Sequence, residues 1–194
     1  MRVLYVYCHP VPESFHGAIR TEAIAVLKRA GHAVDLIDLY ADNFDPVMSA
    51  DMRRNYHDTS SNRTGIEDYV ARLQRCDAIV LQFPTWCFGL PAMLKGWFDR
   101  IMIPGVSIDL ADPADVKVLL DNIKKIAGIS TYGRQRWLAL YLGDPSRTMI
   151  KRYLKRLTGG KASTEYHALY HMNVATDVER KAFIAKVAKA MEGF

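Results

Sequence analysis

The stretch "CHPVPESFHG", residues 8–17, combines hydroxyl, imidazole and glycine residues directly before a helical pattern. Backbone N–H groups at the start of a helix, together with the helix dipole, favour an anion. Ser14 supplies a hydroxyl, His9 and His16 are candidate donors, and Gly17 permits close approach of the backbone. The pattern indicates a phosphate-binding loop, although it is neither a P-loop nor a GxGxxG motif. It is equally consistent with a helix capped by Ser14 and two surface histidines.

A second stretch, "PTWCFGLP" at residues 84–91, concentrates aromatic and turn-forming residues. Trp86 and Phe88 could form a wall against a flat heteroaromatic ring, or they could pack against the next helix. The flanking prolines and the glycine stiffen the turn and favour a binding loop over residues 84–88. Cys87 is interpreted as a packing residue.

A third stretch, "STYGRQRW" at residues 130–137, begins with small and hydroxyl residues. Taken alone, Ser130, Thr131, Tyr132 and Gly133 are typical of an ordinary polar turn. Their position after a predicted strand makes them candidates for the same crevice as the other two stretches.

The elements that must position these stretches alternate between strand and helix along the chain. Strands are predicted at 2–7, 33–39, 77–83, 124–131 and within 164–172, and helices at 15–30, 66–75, 91–101, 144–157 and 176–192. Residues 52–63 are predicted to be irregular, and a loop to run through Pro104, Gly105 and Pro113.

The runs at 77–83 and 124–131 are almost continuously apolar, which predicts a parallel sheet with helices on both faces. In such a sheet ligands bind beyond the carboxyl ends of the strands, where all three stretches would lie. Trp97 and Phe98 are predicted to be core or interface residues.

Length and composition suit one globular domain over residues 1–194, with 49% hydrophobic and 24% charged residues. The three cysteines form no CxxC motif, so neither a disulfide framework nor a metal site is expected, and a reducing cytoplasm is the expected compartment. No signal peptide and no membrane insertion are expected. The net charge of +5 favours anionic partners, but no nucleic-acid-binding motif accompanies it.

Four motifs together resemble the flavodoxin-like NAD(P)H:quinone oxidoreductases, the family that includes the modulator of drug activity proteins. They are "QFPTWCFGLPAMLKGWFDR" at 82–100, "HPVPESF" at 9–15, "DLYADNFDPVMS" at 38–49 and "ISTYG" at 129–133. The resemblance covers nearly the whole chain. It implies an α/β flavodoxin-like fold, a three-layer sandwich with a five-stranded parallel sheet in order 2-1-3-4-5.

The resemblance also implies a tightly held FAD or FMN, with chain length favouring FAD, and a homodimer whose active site lies at the subunit interface. The flavin phosphate would be held by His9, Ser14, Phe15, His16 and Gly17. The isoalloxazine ring would be contacted by Pro84, Thr85, Trp86, Cys87 and Phe88. The other edge of the ring would be held by Ser130, Thr131, Tyr132 and Gly133.

Two departures from the family affect the implied site. Relatives often have Asn where His16 stands. The larger relatives use a Tyr and a His beyond the fourth strand, where this chain has no clear equivalent. The candidate catalytic residues are Tyr132, which could cap the ring, and Tyr141.

The implied activity is two-electron transfer from NAD(P)H to a quinone or similar flat acceptor, in a ping-pong reaction. The cationic face at 147–161 is interpreted as a solvated surface, or as one that attracts the phosphates of NADPH or FAD. A regulatory role as an ancillary subunit of a partner such as a membrane transporter stays open. An electron carrier is disfavoured by the positive charge, and a phosphoryl-accepting regulator by the lack of paired acids after the first strand.

Overall fold

The computed structural model describes residues 1–112 and 114–194, so Pro113 in the predicted loop lies outside the described residues. A parallel sheet is formed by β1 (Arg2–Tyr7), β2 (Ala33–Asp38), β3 (Ala78–Pro84), β4 (Lys125–Thr131) and β5 (Ser163–Leu169). The strand order is β2-β1-β3-β4-β5, which confirms the predicted order and the flavodoxin-like fold. The first four predicted strands agree with the structure to within one residue at each end. Strand β5 begins one residue before the predicted range of 164–172 and ends within it.

The helices are α1 (Phe15–Arg29), α2 (Ala50–Arg54), α3 (Glu67–Arg75), α4 (Ala92–Ile101), α5 (Arg136–Tyr141), α6 (145–157) and α7 (Asp177–Glu192). Helix α6 winds as a π-helix over Met149–Leu154. Helices α2 and α5 were not predicted, since α2 has no buried residue and α5 buries only Ala139. A two-residue strand pair, Ile108–Asp109 with Lys117–Val118, lies outside the main sheet.

The sheet is the middle of three layers. Helices α1 and α7 cover one face, where Leu27 and Val187 are buried with Tyr5 and Ile129 of the sheet. Helices α3, α4 and α6 cover the other. Each fully buried side chain of this size stabilises the fold by about 1.5–3 kcal/mol, so both layers hold the strand ends firmly in place.

The aromatic stretch of residues 83–100 divides between loop and core. Trp97 and Phe98 lie on α4 and are buried, as predicted. Helix α4 is also fixed by the loop after β2, because a Cβ added at Gly96 would lie only 2.3 Å from the carbonyl oxygen of Pro46. Arg100 of α4 donates a hydrogen bond to the carbonyl oxygen of Asp45. The loop that precedes α4 therefore starts from a rigid strand and ends on a rigid helix.

Candidate active site

The second and third stretches meet at the carboxyl ends of β3 and β4. The backbone N–H of Thr85 donates to the carbonyl oxygen of Thr131 at 2.8 Å, and the hydroxyls of Thr85 and Ser130 lie 2.9 Å apart. Pro84 is the last residue of β3 and pairs with Thr131 in the sheet. The parallel register thus brings together residues that the chain separates by more than forty positions.

A cleft of about 170 Å³ opens where these two stretches meet. It is lined by Thr85, Cys87, Phe88, Tyr132, Gly133 and Arg134. Ligand pockets for drug-sized molecules usually measure about 300–1,000 Å³, so this cleft accounts for only part of such a site. A larger cavity of about 770 Å³ lies between α1 and α7 and includes none of these residues.

The first stretch forms a tight loop that ends at α1. Ser14 is the N-cap, and its hydroxyl oxygen accepts from the Gly17 N–H at 3.2 Å. His9 Nδ1 lies 3.0 Å from the Ser14 hydroxyl, and burial lowers the pKa of His9. A Cβ at Gly17 would lie 1.8 Å from the carbonyl oxygen of Pro12, so the glycine is required by the loop's own packing. The first N–H groups of α1 have no intrahelical acceptor, which fits an anion site.

The side chain of His16 lies in the interior, in contrast to the expectation that it would be a donor to an anion. It is 3% exposed, with Nε2 2.9 Å from Thr131 Oγ1 and Nδ1 3.2 Å from Gln82 Nε2. Because the amide N–H of Gln82 needs an acceptor, we assign the imidazole proton to Nε2. Burial lowers the pKa of His16 to about 3, so the ring is neutral. Its side chain links the first stretch to the third.

Gln82 is a site-supporting residue that the sequence reasoning did not identify. Its amide donates to the carbonyl oxygen of His16 at 2.7 Å and accepts from the Tyr5 hydroxyl. It is fully buried in β3. A glutamine within the apolar run "AIVLQFP" is the signal that could have indicated a buried polar network.

The aromatic stretch forms a turn with an uncommon backbone. Trp86 and Gly89 exchange two backbone hydrogen bonds, and the residues between them, Cys87 and Phe88, have φ values of 50° and 59°. Left-handed conformations cost roughly 1–2 kcal/mol per non-glycine residue, and such strain is concentrated at functional sites. Trp86 is 42% exposed. Cys87 is also exposed, so its interpretation as a packing residue is wrong.

Tyr132 lines the cleft, but its hydroxyl points into a buried network. It donates to Asp144 Oδ1 at 2.6 Å and lies 2.7 Å from the Tyr166 hydroxyl. Burial raises the pKa of Tyr132, and the neighbouring Tyr166 raises it further, so the phenol stays neutral. Its ring stacks on Tyr170 with centroids 4.6 Å apart. Asp144 and Tyr166 were not predicted, because they follow Tyr132 by 12 and 34 residues.

The remaining predicted residues occupy different positions. Tyr141 ends α5, is 81% exposed and does not line the cleft. The Phe15 ring packs towards Phe183 of α7, with centroids 6.3 Å apart, which leaves its backbone N–H at the start of α1. Gly133 lines the cleft, and a Cβ there would lie 3.1 Å from the Asn173 amide.

The arrangement places an exposed aromatic turn and a strand-end loop around one cleft. It also offers a helix start suited to an anion, which His16 links to the end of β4. Among residues 1–112 and 114–194, no group of three or more His, Cys, Asp or Glu side chains could hold a metal ion. In the same described part of the chain, no helix is long and apolar enough to span a bilayer. The exposed ring of Trp86 and the start of α1 favour a flat, anionic ligand held at the ends of the strands.

Residues 1–141 match the model of a family described as "Flavodoxin-like fold". Over 148 residues the chain is 32% identical to NAD(P)H dehydrogenase [quinone] 1 of Rattus norvegicus, which covers 68% of this chain and 54% of that protein. It is 34% identical over 125 residues to the Homo sapiens ribosyldihydronicotinamide dehydrogenase [quinone], covering 56% of this chain and 54% of that protein. The match thus spans about half the length of these relatives.

The fold is similar to that of Smu.1420 from Streptococcus mutans UA159 along the full length of both chains. The TM-score is 0.87 and the sequence identity is 25%. The shared fold extends beyond residue 141, where the family match ends.

Proposed function

The chain belongs to the flavodoxin-like NAD(P)H:quinone oxidoreductase family, and we propose that it is a flavin-dependent enzyme. It would pass two electrons from NAD(P)H to a quinone or a similar flat acceptor. NAD(P)H and the acceptor would occupy the same space in turn, which makes the reaction ping-pong. The proposal extends to residues 1–194 as one flavin-binding domain.

The observation that carries this proposal is the cleft shared by Thr85, Phe88, Tyr132 and Gly133 at the carboxyl ends of two parallel strands. This is where open α/β sheets bind their ligands. His16 joins the first stretch to the same edge through Thr131. The three stretches are thereby held around one place.

The residues present fit a flavin. The start of α1, with Ser14 as its cap and Phe15 and His16 offering backbone N–H groups, would receive the phosphate. The exposed ring of Trp86 and the strained turn at Phe88 would support the isoalloxazine ring. Gly133 would allow backbone N–H groups to approach the other edge.

A bound flavin supplies hydride transfer, and the protein supplies binding, orientation and electrostatics. The backbone N–H of Gly133 would stabilise negative charge that develops on the ring during reduction, whereas the Tyr132 N–H is already donated to the Leu169 carbonyl oxygen at 2.8 Å. The Tyr132 hydroxyl is engaged with Asp144, so the proposed role of Tyr132 is to hold the ring of the cofactor in place. Tyr141 would need a neighbouring subunit to lie near the reaction, because it is exposed on α5.

We further infer a homodimer, since the cleft of one chain is smaller than a whole cofactor site. A second subunit would complete the pocket. FAD is favoured over FMN by the chain length, NADPH over NADH by the basic charge, and the proposed compartment is the cytoplasm.

The visible spectrum of the purified protein tests the proposal. It is recorded as isolated, after anaerobic NADPH and after a benzoquinone. We expect a flavin spectrum that bleaches with NADPH and returns with the quinone, and the released cofactor distinguishes FAD from FMN. Analytical ultracentrifugation of the same sample measures the oligomeric state.

Two results contradict the proposal in different ways. A colourless protein that takes up no added flavin would remove the flavin assignment. A flavoprotein that NADPH does not reduce would keep the cofactor and favour the regulatory alternative.

A further inference from the structure

The net positive charge of the chain comes from one segment. Between residues 134 and 161 the sequence has eight Lys or Arg residues and a single acidic residue, Asp144. This segment has a formal charge of +7, whereas the whole chain has +5, so the remainder is slightly negative. Asp144 is buried and accepts from Tyr132, so it does not shield the surface.

The cations of this segment are Arg134, Arg136, Arg147, Lys151, Arg152, Lys155, Arg156 and Lys161. Within the described residues, none of them forms an ion pair with a carboxylate of the chain. The charge is therefore available to an external anionic partner.

The same segment exposes a cluster of large apolar side chains. Trp137, Leu140, Tyr141 and Leu142 on and beside α5 are between 45% and 81% exposed. Four such residues within six positions are unusual for a surface, where exposed apolar side chains are normally scattered. Tryptophan and tyrosine are typical of membrane–water interfaces, where the ring enters the headgroup region.

One member of the apolar cluster lies beside three of the cations. Leu140 lines a cavity of about 430 Å³ together with Arg147, Lys151 and Arg152 of α6. A partner that covers this cavity would contact both kinds of side chain at once. We define the exposed side chains of residues 134–161 as the basic–aromatic surface.

We propose that the basic–aromatic surface docks on an anionic phospholipid membrane. The lysines and arginines would contact lipid headgroups, and Trp137 and Leu140 would enter the boundary with the acyl chains. A nucleic-acid backbone would satisfy the cations but would leave the aliphatic side chains exposed. If this surface paired with the same surface of a second copy about a twofold axis, two segments that each carry a formal charge of +7 would face and repel each other.

Docking of this surface would also bring the candidate cleft close to lipid. Arg134 belongs both to the basic–aromatic surface and to the lining of the cleft. The membrane proposal does not depend on the flavin proposal, because membrane binding is measured without turnover.

The test is co-sedimentation of the purified protein with phosphatidylcholine vesicles, with and without phosphatidylglycerol. We expect binding only to the anionic vesicles and a decrease as salt is added. Exposed Trp137 should give a blue shift of fluorescence on binding, and Trp137→Phe should lose most of this shift. Buried Trp97 should not respond.

Variants separate the contribution of the cations to vesicle binding from that of the apolar side chains. Lys151→Glu with Arg152→Glu should weaken partitioning about tenfold or more, and Trp137→Ser with Leu140→Ser should weaken it less and leave it salt-sensitive. The matched control is Lys181→Glu with Lys186→Glu on α7, which changes the net charge equally at another exposed site and should bind as the wild type does.

Three results would overturn the proposal. They are a lack of binding to phosphatidylglycerol vesicles at low salt, equal weakening by the control variant, and displacement from vesicles by duplex DNA that binds the protein as tightly. A fourth result would assign the surface to contact between copies of the chain. In that case Trp137→Ser with Leu140→Ser would convert a dimer to a monomer and leave vesicle binding unchanged.

Discussion

The imidazole of His16 donates from Nε2 to the Thr131 hydroxyl over 2.9 Å, and this bond joins the start of α1 to the last residue of β4. The two residues are 115 positions apart in the chain. The bond thereby links the first and third stretches of the candidate site. His16 Nδ1 can accept from the Gln82 amide only while the ring is neutral, so the network around this bond depends on pH.

His16 should make the protein less stable as the pH falls. Its pKa in the folded protein, about 3, lies below the ordinary value of 6.5, so the unfolded chain binds more protons between these values. The contribution is complete above pH 6.5 and is lost as the pH falls towards 3, by up to about 1.4 kcal/mol per pH unit. Urea unfolding at pH 7 and pH 5 measures it. His16→Gln should flatten the dependence, and exposed His57→Gln should not; equal slopes in the wild type and His16→Gln would contradict the assignment.

Gly17→Ala should distort the first stretch. The added Cβ would lie 1.8 Å from the Pro12 carbonyl oxygen, so either the loop or the start of α1 must move. We expect a loss of roughly 1–3 kcal/mol in the free energy of unfolding and weaker flavin retention. Gly193→Ala is the control, because its Cβ would meet nothing within 4 Å. Thermal unfolding of the two variants compares them, and similar melting temperatures would argue against the close packing.

The strands and their order were predictable because two central strands are buried on both faces and so read as apolar runs. The start of α1 was predictable from Ser14, which caps the helix with its side chain. The position of Ser130 and Thr131 at the end of β4 was predictable from the apolar run that precedes them, and their role in binding stays a prediction.

The interior position of His16 could not be read from the sequence, because it depends on Gln82 from a strand 66 residues away. Helix α5 was missed since its apolar side chains are mostly exposed and follow no helical burial pattern. The positive φ of Cys87 and Phe88 was equally hidden, because neither residue type favours that conformation. These are the places where tertiary contacts override local preference.

Trp86→Ala should weaken flavin retention. Loss of one exposed ring against a flat ligand is expected to cost about 1.5 kcal/mol, which is roughly tenfold in Kd. Titration of the apoprotein with FMN or FAD, followed by fluorescence quenching, gives the Kd. Trp86→Phe keeps a ring and should retain most of the affinity, and the same Kd for the alanine variant and the wild type would remove Trp86 from the site.

Tyr132→Phe should destabilise the third stretch by about 1–3 kcal/mol, because Asp144 Oδ1 loses its 2.6 Å hydrogen bond while remaining buried. Asp144→Asn removes the charge from the same contact. If the two groups act as a pair, the double variant should cost less than the sum of the single ones, by about 0.5 kcal/mol or more. Urea unfolding of all four proteins gives this coupling energy. Strictly additive losses would show that the carboxyl group of Asp144 adds little to the contact beyond what an amide oxygen supplies.

Substitutions at Cys87 should follow backbone preference more than side-chain size. The residue is exposed at φ 50°, so little packing is lost when its side chain is changed. Cys87→Gly and Cys87→Asn relieve the left-handed strain and should equal or exceed the wild type in stability by up to about 1 kcal/mol. Cys87→Val places a β-branched residue in that conformation and should cost about 1 kcal/mol or more. Thermal unfolding ranks the variants, and a valine variant as stable as the glycine one would mean that the turn is not strained.

If flavin is bound against this turn, the glycine variant should bind it more weakly despite its stability, because a turn that is free to leave the strained conformation must be ordered again when the ligand binds.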